Sequence, residues 1–342
     1  MKKIFISIKG DRMTPSRVLA ALDTLLAIRQ PVFLWGPPGV GKSQLVAQAA
    51  ERKGMALRDI RAVLLDPVDL RGLPRIDGDG RTCWCAPAFL PGPQDEAEGV
   101  LFLDELNAAP PLVQTACYQL ILDRRIGEYR LPDGWRVVAA GNRESDRAVV
   151  YRLPTALANR MVHLEVEAHT GDWLAWAENN GIRPEIRAFL RFRPRLLHTA
   201  APQSDEAAFA SPRSWAFASR ILEAAPEQEL AADLLRGTLG EGVSAELLGY
   251  LERRHQLPSP EGILAAPYSA PVPDDPADLC AVCDMLVEYV RPEDMEAVAG
   301  YAERLPAEYG ILLMRDAARR DPRIVEGTPF ARWAQHHAEA LL

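Results

Sequence analysis

Gly36-Pro37-Pro38-Gly39-Val40-Gly41-Lys42-Ser43 follows the apolar run Val32-Phe33-Leu34-Trp35 and precedes a helix-forming run from Gln44 to Arg52. The stretch fits G-x-x-x-x-G-K-[ST], the phosphate loop, in the strand–loop–helix setting that the pattern requires. Glycines let successive backbone N–H groups turn inward as an anion nest. The helix that starts at Lys42 adds its positive end. Lys42 is placed to reach the β- and γ-phosphates of a nucleotide, and the Ser43 hydroxyl to ligate Mg²⁺. The candidate nucleotide-binding set is therefore Gly36, Pro37, Pro38, Gly39, Val40, Gly41, Lys42, Ser43 and Gln44.

Val100-Leu101-Phe102-Leu103-Asp104-Glu105 is the second decisive stretch. Its apolar run reads as a central parallel strand buried on both faces. Two carboxylates stand at its C-terminal end, where parallel sheets present ligand-binding groups. Asp104 suits the Mg²⁺ shell, through a metal-bound water or through Ser43. Glu105 suits polarisation of an attacking water. A buried strand that simply meets solvent at an acidic turn would look the same in isolation. The phosphate loop upstream is what weighs against that account.

The rest of the chain falls into order around these two stretches. Thr14-Pro15 reads as a helix cap and first turn, with Val18, Leu22, Leu25 and Leu26 on one face. Leu57 to Leu65 reads as a second strand. Asp66 to Pro93, rich in Pro and Gly, reads as an insertion with a small hairpin around Thr82-Cys83-Trp84-Cys85. Pro110-Pro111 opens a helix to Asp123, and Ile126 to Leu131 alternates as a strand. Pro132-Asp133-Gly134 is a turn. Trp135 to Ala140 returns as a strand that ends in Gly141-Asn142, and the Asn142 amide could bond both a phosphate and a water. Pro154 to Arg160 reads as a short helix, and Val162, Leu164 and Val166 as a final strand, so the α/β unit ends near Ala168. From Thr170 the pattern is helical, with Ser211-Pro212-Arg213 another cap and first turn. Leu257 to Pro276 reads as an irregular connection before four closing helical segments.

Bulk properties exclude several classes. The chain has 342 residues, 48% of them hydrophobic and 25% charged, with a formal net charge of -8. That balance is ordinary for a soluble globular protein and disfavours a nucleic-acid carrier. Five cysteines cannot all pair. Cys83-x-Cys85 is too short for a zinc pair, and Cys280-x-x-Cys283 lies in a helical pattern without a second pair. Thiols in a reducing cytosol account for them. Neither a membrane-spanning run nor an export signal is visible, so a cytoplasmic location is expected.

Gly36 to Ser43, Leu101-Phe102-Leu103-Asp104-Glu105-Leu106-Asn107, Ala139-Ala140-Gly141-Asn142, Ala156-Leu157-Ala158-Asn159-Arg160 and Ser211-Pro212-Arg213 together resemble the AAA+ ATPases. Their order and spacing look most like the MoxR branch, over roughly residues 15 to 255. The resemblance implies a three-layer α/β/α P-loop core with a parallel sheet over 1–168. A helical lid over 169–256 and a helical C-terminal extension over 257–342 follow. It implies that Lys42 and Ser43 are Walker A residues and that Asp104 and Glu105 form Walker B. Asn142 would be sensor 1, Arg213 sensor 2, and Arg160 an arginine finger reaching into a neighbour's site. Arg143 and Arg147 compete for that last role. Residues 66–93 correspond to the branch's helix-2 insertion and 125–135 to its pre-sensor hairpin. Met161 stands where many relatives carry Phe.

The function implied is Mg²⁺-dependent ATP hydrolysis by a homo-oligomeric ring, expected to number six, that remodels or matures a client protein. The client class would be a protein with a von Willebrand factor A domain. The alternatives are an AAA+ motor on nucleic acid and a non-enzymatic, ATP-gated scaffold. Acidic charge and the lack of a basic cluster with interleaved aromatics count against the motor. A candidate for every expected catalytic group counts against the scaffold.

Overall fold

The computed structural model describes residues 12–146, 151, 153–199, 208–224 and 226–337. The strands are β1 (Val32–Trp35), β2 (Ala56–Arg61), β3 (Leu73–Ile76), β4 (Thr82–Cys85), β5 (Gly99–Asp104), β6 (Arg125–Ile126), β7 (Tyr129–Arg130), β8 (Trp135–Gly141) and β9 (Val162–Glu165). The helices of the α/β part are α1 (Pro15–Ala27), α2 (Lys42–Arg52), α3 (Pro67–Arg71), α4 (Pro111–Asp123) and α5 (Thr155–Ala158). Then come α6 (Thr170–Asn179), α7 (Pro184–Phe192), α8 (Pro212–Glu223), α9 (Gln228–Leu239) and α10 (Glu241–Arg254). The last are α11 (Pro260–Ala265), α12 (Pro276–Tyr289), α13 (Met295–Ala302), α14 (Ala307–Arg320) and α15 (Thr328–His336).

A five-stranded sheet runs in the order β2-β5-β8-β1-β9, and every pairing in it is parallel. Alternation along each strand sends side chains to two separate cores. Phe33, Leu101, Leu103, Val137 and Ala139 pack on one face with Val113, Cys117 and Leu120 of α4. Val32, Leu34, Val100, Phe102, Val138 and Ala140 pack on the other with Val18 and Leu22 of α1 and Val46 and Ala49 of α2. A strand covered on both faces has no room for a polar side chain until it leaves the sheet. That is why the run from Val100 breaks into carboxylates only at its end. Each large apolar side chain removed from water contributes about 1.5–3 kcal/mol, so a charge within the run would be costly.

Register then sets where the strands stop. Trp35 of β1 is level with Gly141 of β8, and Leu103 of β5 with Ala139. The next residues along each strand are Gly36, Asn142 and Asp104, so one edge of the sheet collects them.

Several details depart from the sequence reading. The second strand ends at Arg61 and continues as a 3-10 turn over Ala62–Leu64. The alternating stretch after Asp123 is not one strand. It is a short hairpin, β6 against β7, with Ile126 opposite Tyr129 and Gly127 in the left-handed region at φ 55°. Pro132-Asp133-Gly134 instead leads into β8, with Trp135 N–H donating to Pro132 O. Thr14 occupies the cap position of α1 without a capping bond from its side chain. A carboxylate from elsewhere does that work: Ser16 N–H donates to Asp172 Oδ2 at 2.6 Å. Within 66–93 the expected hairpin is present as β3 and β4. It touches the second hairpin, since Trp84 N–H donates to Glu128 Oε2 at 3.1 Å.

The chain divides into two compact units. One runs to Asp172 and includes Ser211–Arg213; the other holds Trp173–Ala210 and Ser214 onward. The second unit is helical. Its main core gathers Val282, Leu286, Met295, Tyr301, Leu313, Met314 and Trp333. Phe189 of α7 packs on Trp215 and Tyr250, with ring centroids 5.6 and 5.4 Å away. Arg191 and Arg187 of α7 pair with Asp284 and Glu288 of α12. Burial pushes the Asp284 carboxyl up to about 6, while the Arg191 guanidinium pulls it down. The Pro-rich stretch after Leu257 is less irregular than its composition suggests, because α11 lies in it with Ser259 Oγ accepting from Gly262 N–H. All five cysteines are free thiols. Among the described residues no helix is long and apolar enough to cross a membrane.

Candidate functional site

The loop between β1 and α2 turns through two glycines in the left-handed region, Gly39 at φ 78° and Gly41 at φ 102°. Side chains rarely tolerate that backbone, so the motif's glycines here are a conformational requirement. Lys42 opens α2 and folds back over the loop. Its Nζ donates to Gly36 O at 2.6 Å, Pro37 O at 3.2 Å and Asn142 Oδ1 at 2.9 Å. Ser43 Oγ donates to Asp104 Oδ2 at 3.0 Å. The lysine, the serine, the first carboxylate and the strand-end amide are thus brought together by direct hydrogen bonds.

Glu105 is held by an unusual backbone. Its φ and ψ are 55° and 32°, left-handed for a residue that carries a side chain. Its N–H donates to Asp104 Oδ1 at 2.9 Å. Such a conformation is costly for a non-glycine residue and recurs at functional sites. No local pattern in the sequence announces it.

Sequence reasoning also missed the part played by Asn107. The residue is buried. Its Nδ2 donates to Asn142 O at 2.8 Å, and its own carbonyl accepts from Tyr151 N–H at 2.7 Å. Its Oδ1 is buried without a partner among the described residues. A Cβ at Gly141 would stand 2.1 Å from that oxygen and 2.9 Å from Phe33 Cζ, so only glycine fits there. Asn107 therefore ties the chain after β5 to the end of β8 and fixes where Asn142 projects. The available signal was a lone amide two residues after the acidic pair, inside an otherwise apolar turn.

The arginines separate clearly. Arg143 is engaged within its own protomer, with Nη2 2.8 Å from Asp146 Oδ1 and Nη1 2.5 Å from Glu165 Oε1. Arg147 lies outside the described residues. Arg160 is exposed. Its backbone carbonyl accepts from Gln30 Nε2 at 3.2 Å, and no ion pair to its guanidinium is found among the described residues. Arg213 is also exposed, and its N–H donates to Gly39 O at 3.3 Å, which places the start of α8 beside the phosphate loop.

Burial pushes the Lys42 ammonium down from 10.5 to about 8; Arg213 and Arg143 act in the same direction, and Asp104 and Asp146 oppose them. The sign for ligand binding follows. A charged amine attracts a polyphosphate, and a bound polyphosphate raises the amine's pKa, so above pH 8 binding must take up a proton. Nucleotide affinity should be level below about pH 8 and fall by up to about tenfold per pH unit above it. Titration of a fluorescent nucleotide across that range checks this, and the Lys42→Ala protein should lack the dependence.

The donor set fits the groups that the phosphate loop implies. A hydroxyl and a carboxylate in contact, Ser43 and Asp104, are hard oxygen ligands suited to Mg²⁺. The glycine turn, the N-terminus of α2 and Lys42 make a cradle for phosphate oxygens.

Residues 31–161 match the family model of the AAA domain, dynein-related subfamily. MoxR of Paracoccus denitrificans is 28% identical over 204 residues, which cover 57% of this chain and 55% of that protein. Midasin of Giardia intestinalis is 29% identical over 183 residues, 51% of this chain and 4% of midasin. The chain thus spans about half the length of the first relative and a small fraction of the second. Among solved structures, NtrX of Brucella abortus in complex with ATP aligns with a TM-score of 0.40 at 14% identity, over 97% of this chain and 69% of that one.

Proposed function

We propose that this chain, which resembles the AAA+ P-loop proteins of the MoxR type, is an Mg²⁺-dependent ATPase whose turnover drives remodelling of a client protein. The observation that carries the reading is the meeting of Lys42, Ser43, Asp104 and Asn142 at one sheet edge, with Glu105 held beside Asp104.

In this reading the loop from Gly36 to Gln44 grips the triphosphate and Lys42 neutralises its terminal oxygens. Ser43 and Asp104 would hold Mg²⁺, which supplies charge neutralisation across the β- and γ-phosphates when bound. Glu105 accepts a proton from the attacking water. Asn142 Oδ1 accepts from Lys42, and its amide N–H would serve the terminal phosphate and the water. Arg213 adds positive charge from the start of α8. Arg160, exposed and without an ion-pair partner among the described residues, is offered outward to a neighbouring protomer.

An arginine supplied by a neighbour makes the assembly the unit of catalysis. Head-to-tail contacts of this kind close into a ring or run on as a filament. A ring of six and a client carrying a von Willebrand factor A domain are the choices that the MoxR resemblance favours. The rate of phosphate release per protomer should rise with protein concentration and level off once sedimentation shows a single assembled species. A rate that stays constant and full down to dilutions where only monomer sediments would overturn the reading.

A further inference from the structure

The exposed arginine is not carried on a free loop. It follows α5, and the chain from the end of that helix to Arg160 is held at two carbonyls. Gln30 Nε2 donates to Arg160 O at 3.2 Å. His163 Nε2 lies 2.8 Å from Ala158 O. The other imidazole nitrogen is engaged as well, 2.8 Å from Trp35 Nε1. An indole N–H can only donate, so His163 Nδ1 is the acceptor and the imidazole proton sits on Nε2, donated to Ala158 O. The two rings also stack, with centroids 6.0 Å apart and 23° between planes. Trp35 is the last residue of β1. The next residue is Gly36, whose carbonyl accepts from Lys42.

An unbroken set of bonds therefore runs from the mouth of a protomer's own phosphate loop to the helix end that precedes Arg160. We propose that Trp35 and His163 form a positioning relay that couples nucleotide occupancy in one protomer to the arginine it presents to the next. His163 is the positioning residue: its ring bonds to Trp35 and to Ala158 O, and it acts through the backbone of α5. The inference rests on the reading of Arg160 as the arginine lent in trans. Its physical content is that a displacement of β1 at Trp35 moves the imidazole, and the imidazole moves Ala158. A small misplacement of a catalytic group is enough to change rate greatly, about a hundredfold for roughly 1 Å.

A merely structural role for His163 would weaken its own protomer and leave the neighbour's chemistry alone. Subunit mixing separates the two. Wild-type protein is mixed with an excess of one of three dopants, each shown by sedimentation to enter mixed assemblies equally. The dopants are Glu105→Gln, Glu105→Gln with Arg160→Ala, and Glu105→Gln with His163→Phe, a background that keeps the bond from Lys42 to Gly36 O and the bound nucleotide. None can turn over nucleotide itself, so phosphate release reports wild-type sites that depend on a doped neighbour. Phe keeps an aromatic ring against Trp35 and removes both hydrogen bonds. The Arg160→Ala dopant should suppress release strongly relative to Glu105→Gln alone. The His163→Phe dopant should suppress it about tenfold, a smaller misplacement on the same scale. In the single His163→Phe protein, kcat should fall while KM for ATP holds.

If the His163→Phe dopant is as harmless as Glu105→Gln alone while Arg160→Ala suppresses, the relay is wrong and the arginine reading stands. If the Arg160→Ala dopant is also harmless, the arginine reading itself fails. Should His163→Phe not fold, Trp35→Phe takes its place, because it removes only the indole donor and leaves His163 without its fixed tautomer.

Discussion

Glu105→Gln should bind ATP as tightly as the unsubstituted protein and release phosphate at least about a hundredfold more slowly, the scale of a lost general base. The change is isosteric, so the left-handed backbone at Glu105 and the bond from its N–H to Asp104 Oδ1 are left in place. What is lost is the capacity to take a proton from water. Lys42→Ala should fail differently. It removes an ammonium that holds Gly36 O, Pro37 O and Asn142 Oδ1 together. It also removes the charge facing the terminal phosphates. A charge-assisted bond contributes about 1.5–3 kcal/mol, so affinity should fall by one to two orders of magnitude or more. Nucleotide titration and steady-state phosphate release on the two proteins check both statements. Equal turnover in Glu105→Gln and the unsubstituted protein would remove Glu105 from the chemistry. The Glu105→Gln protein, loaded with ATP, is also the form in which to capture a client.

Arg160→Ala should reduce turnover by about a thousandfold, the scale of a trans-supplied arginine, which corresponds to about 4 kcal/mol of barrier. Affinity for ATP should hold, because among the described residues no bond joins that side chain to the phosphate cradle. The sharper form of the prediction is complementation. An Arg160→Ala protomer keeps a complete cradle and lacks its neighbour's guanidinium. A Glu105→Gln protomer cannot take the proton from water and keeps its nucleotide and its arginine. Mixed one to one, two inactive proteins should regain a measurable fraction of activity in phosphate release. No recovery, with mixed assembly shown by sedimentation, would mean that Arg160 does not act between protomers. Arg143 would then be a poor replacement, because it is already committed to Asp146 and Glu165 in its own protomer.

Much of the site was legible because it is written in local spacing. The phosphate loop needs its glycines, lysine and serine at set offsets, and an apolar strand must end before it can carry carboxylates. Those two constraints act along the chain over a few residues, so composition and order reveal them. The strand runs of Val32 to Trp35, Val100 to Leu103 and Trp135 to Ala140 were visible for the same reason, since a buried parallel strand tolerates almost no polar side chain.

The hairpin over 125–131 was misjudged because alternation over so few residues does not separate one strand from two. Gly127 decides it through its backbone angle. Thr14 had the right chemistry for a cap, yet Asp172, 156 positions from Ser16, supplies the bond. Leu257 to Pro276 hid α11 because prolines at a helix start look the same as prolines in a loop.

From its sequence alone, this protein was bound to have a phosphate cradle, an acidic strand end and a parallel sheet to carry them, because each follows from neighbours in the chain. Tertiary structure decided the left-handed turn at Glu105, the clasp of Asn107 on the end of β8, the internal capture of Arg143 and the exposure of Arg160. It also decided the tautomer of His163. All of these join residues far apart in the chain or set a backbone angle that packing imposes, and no local pattern of residues carries that information.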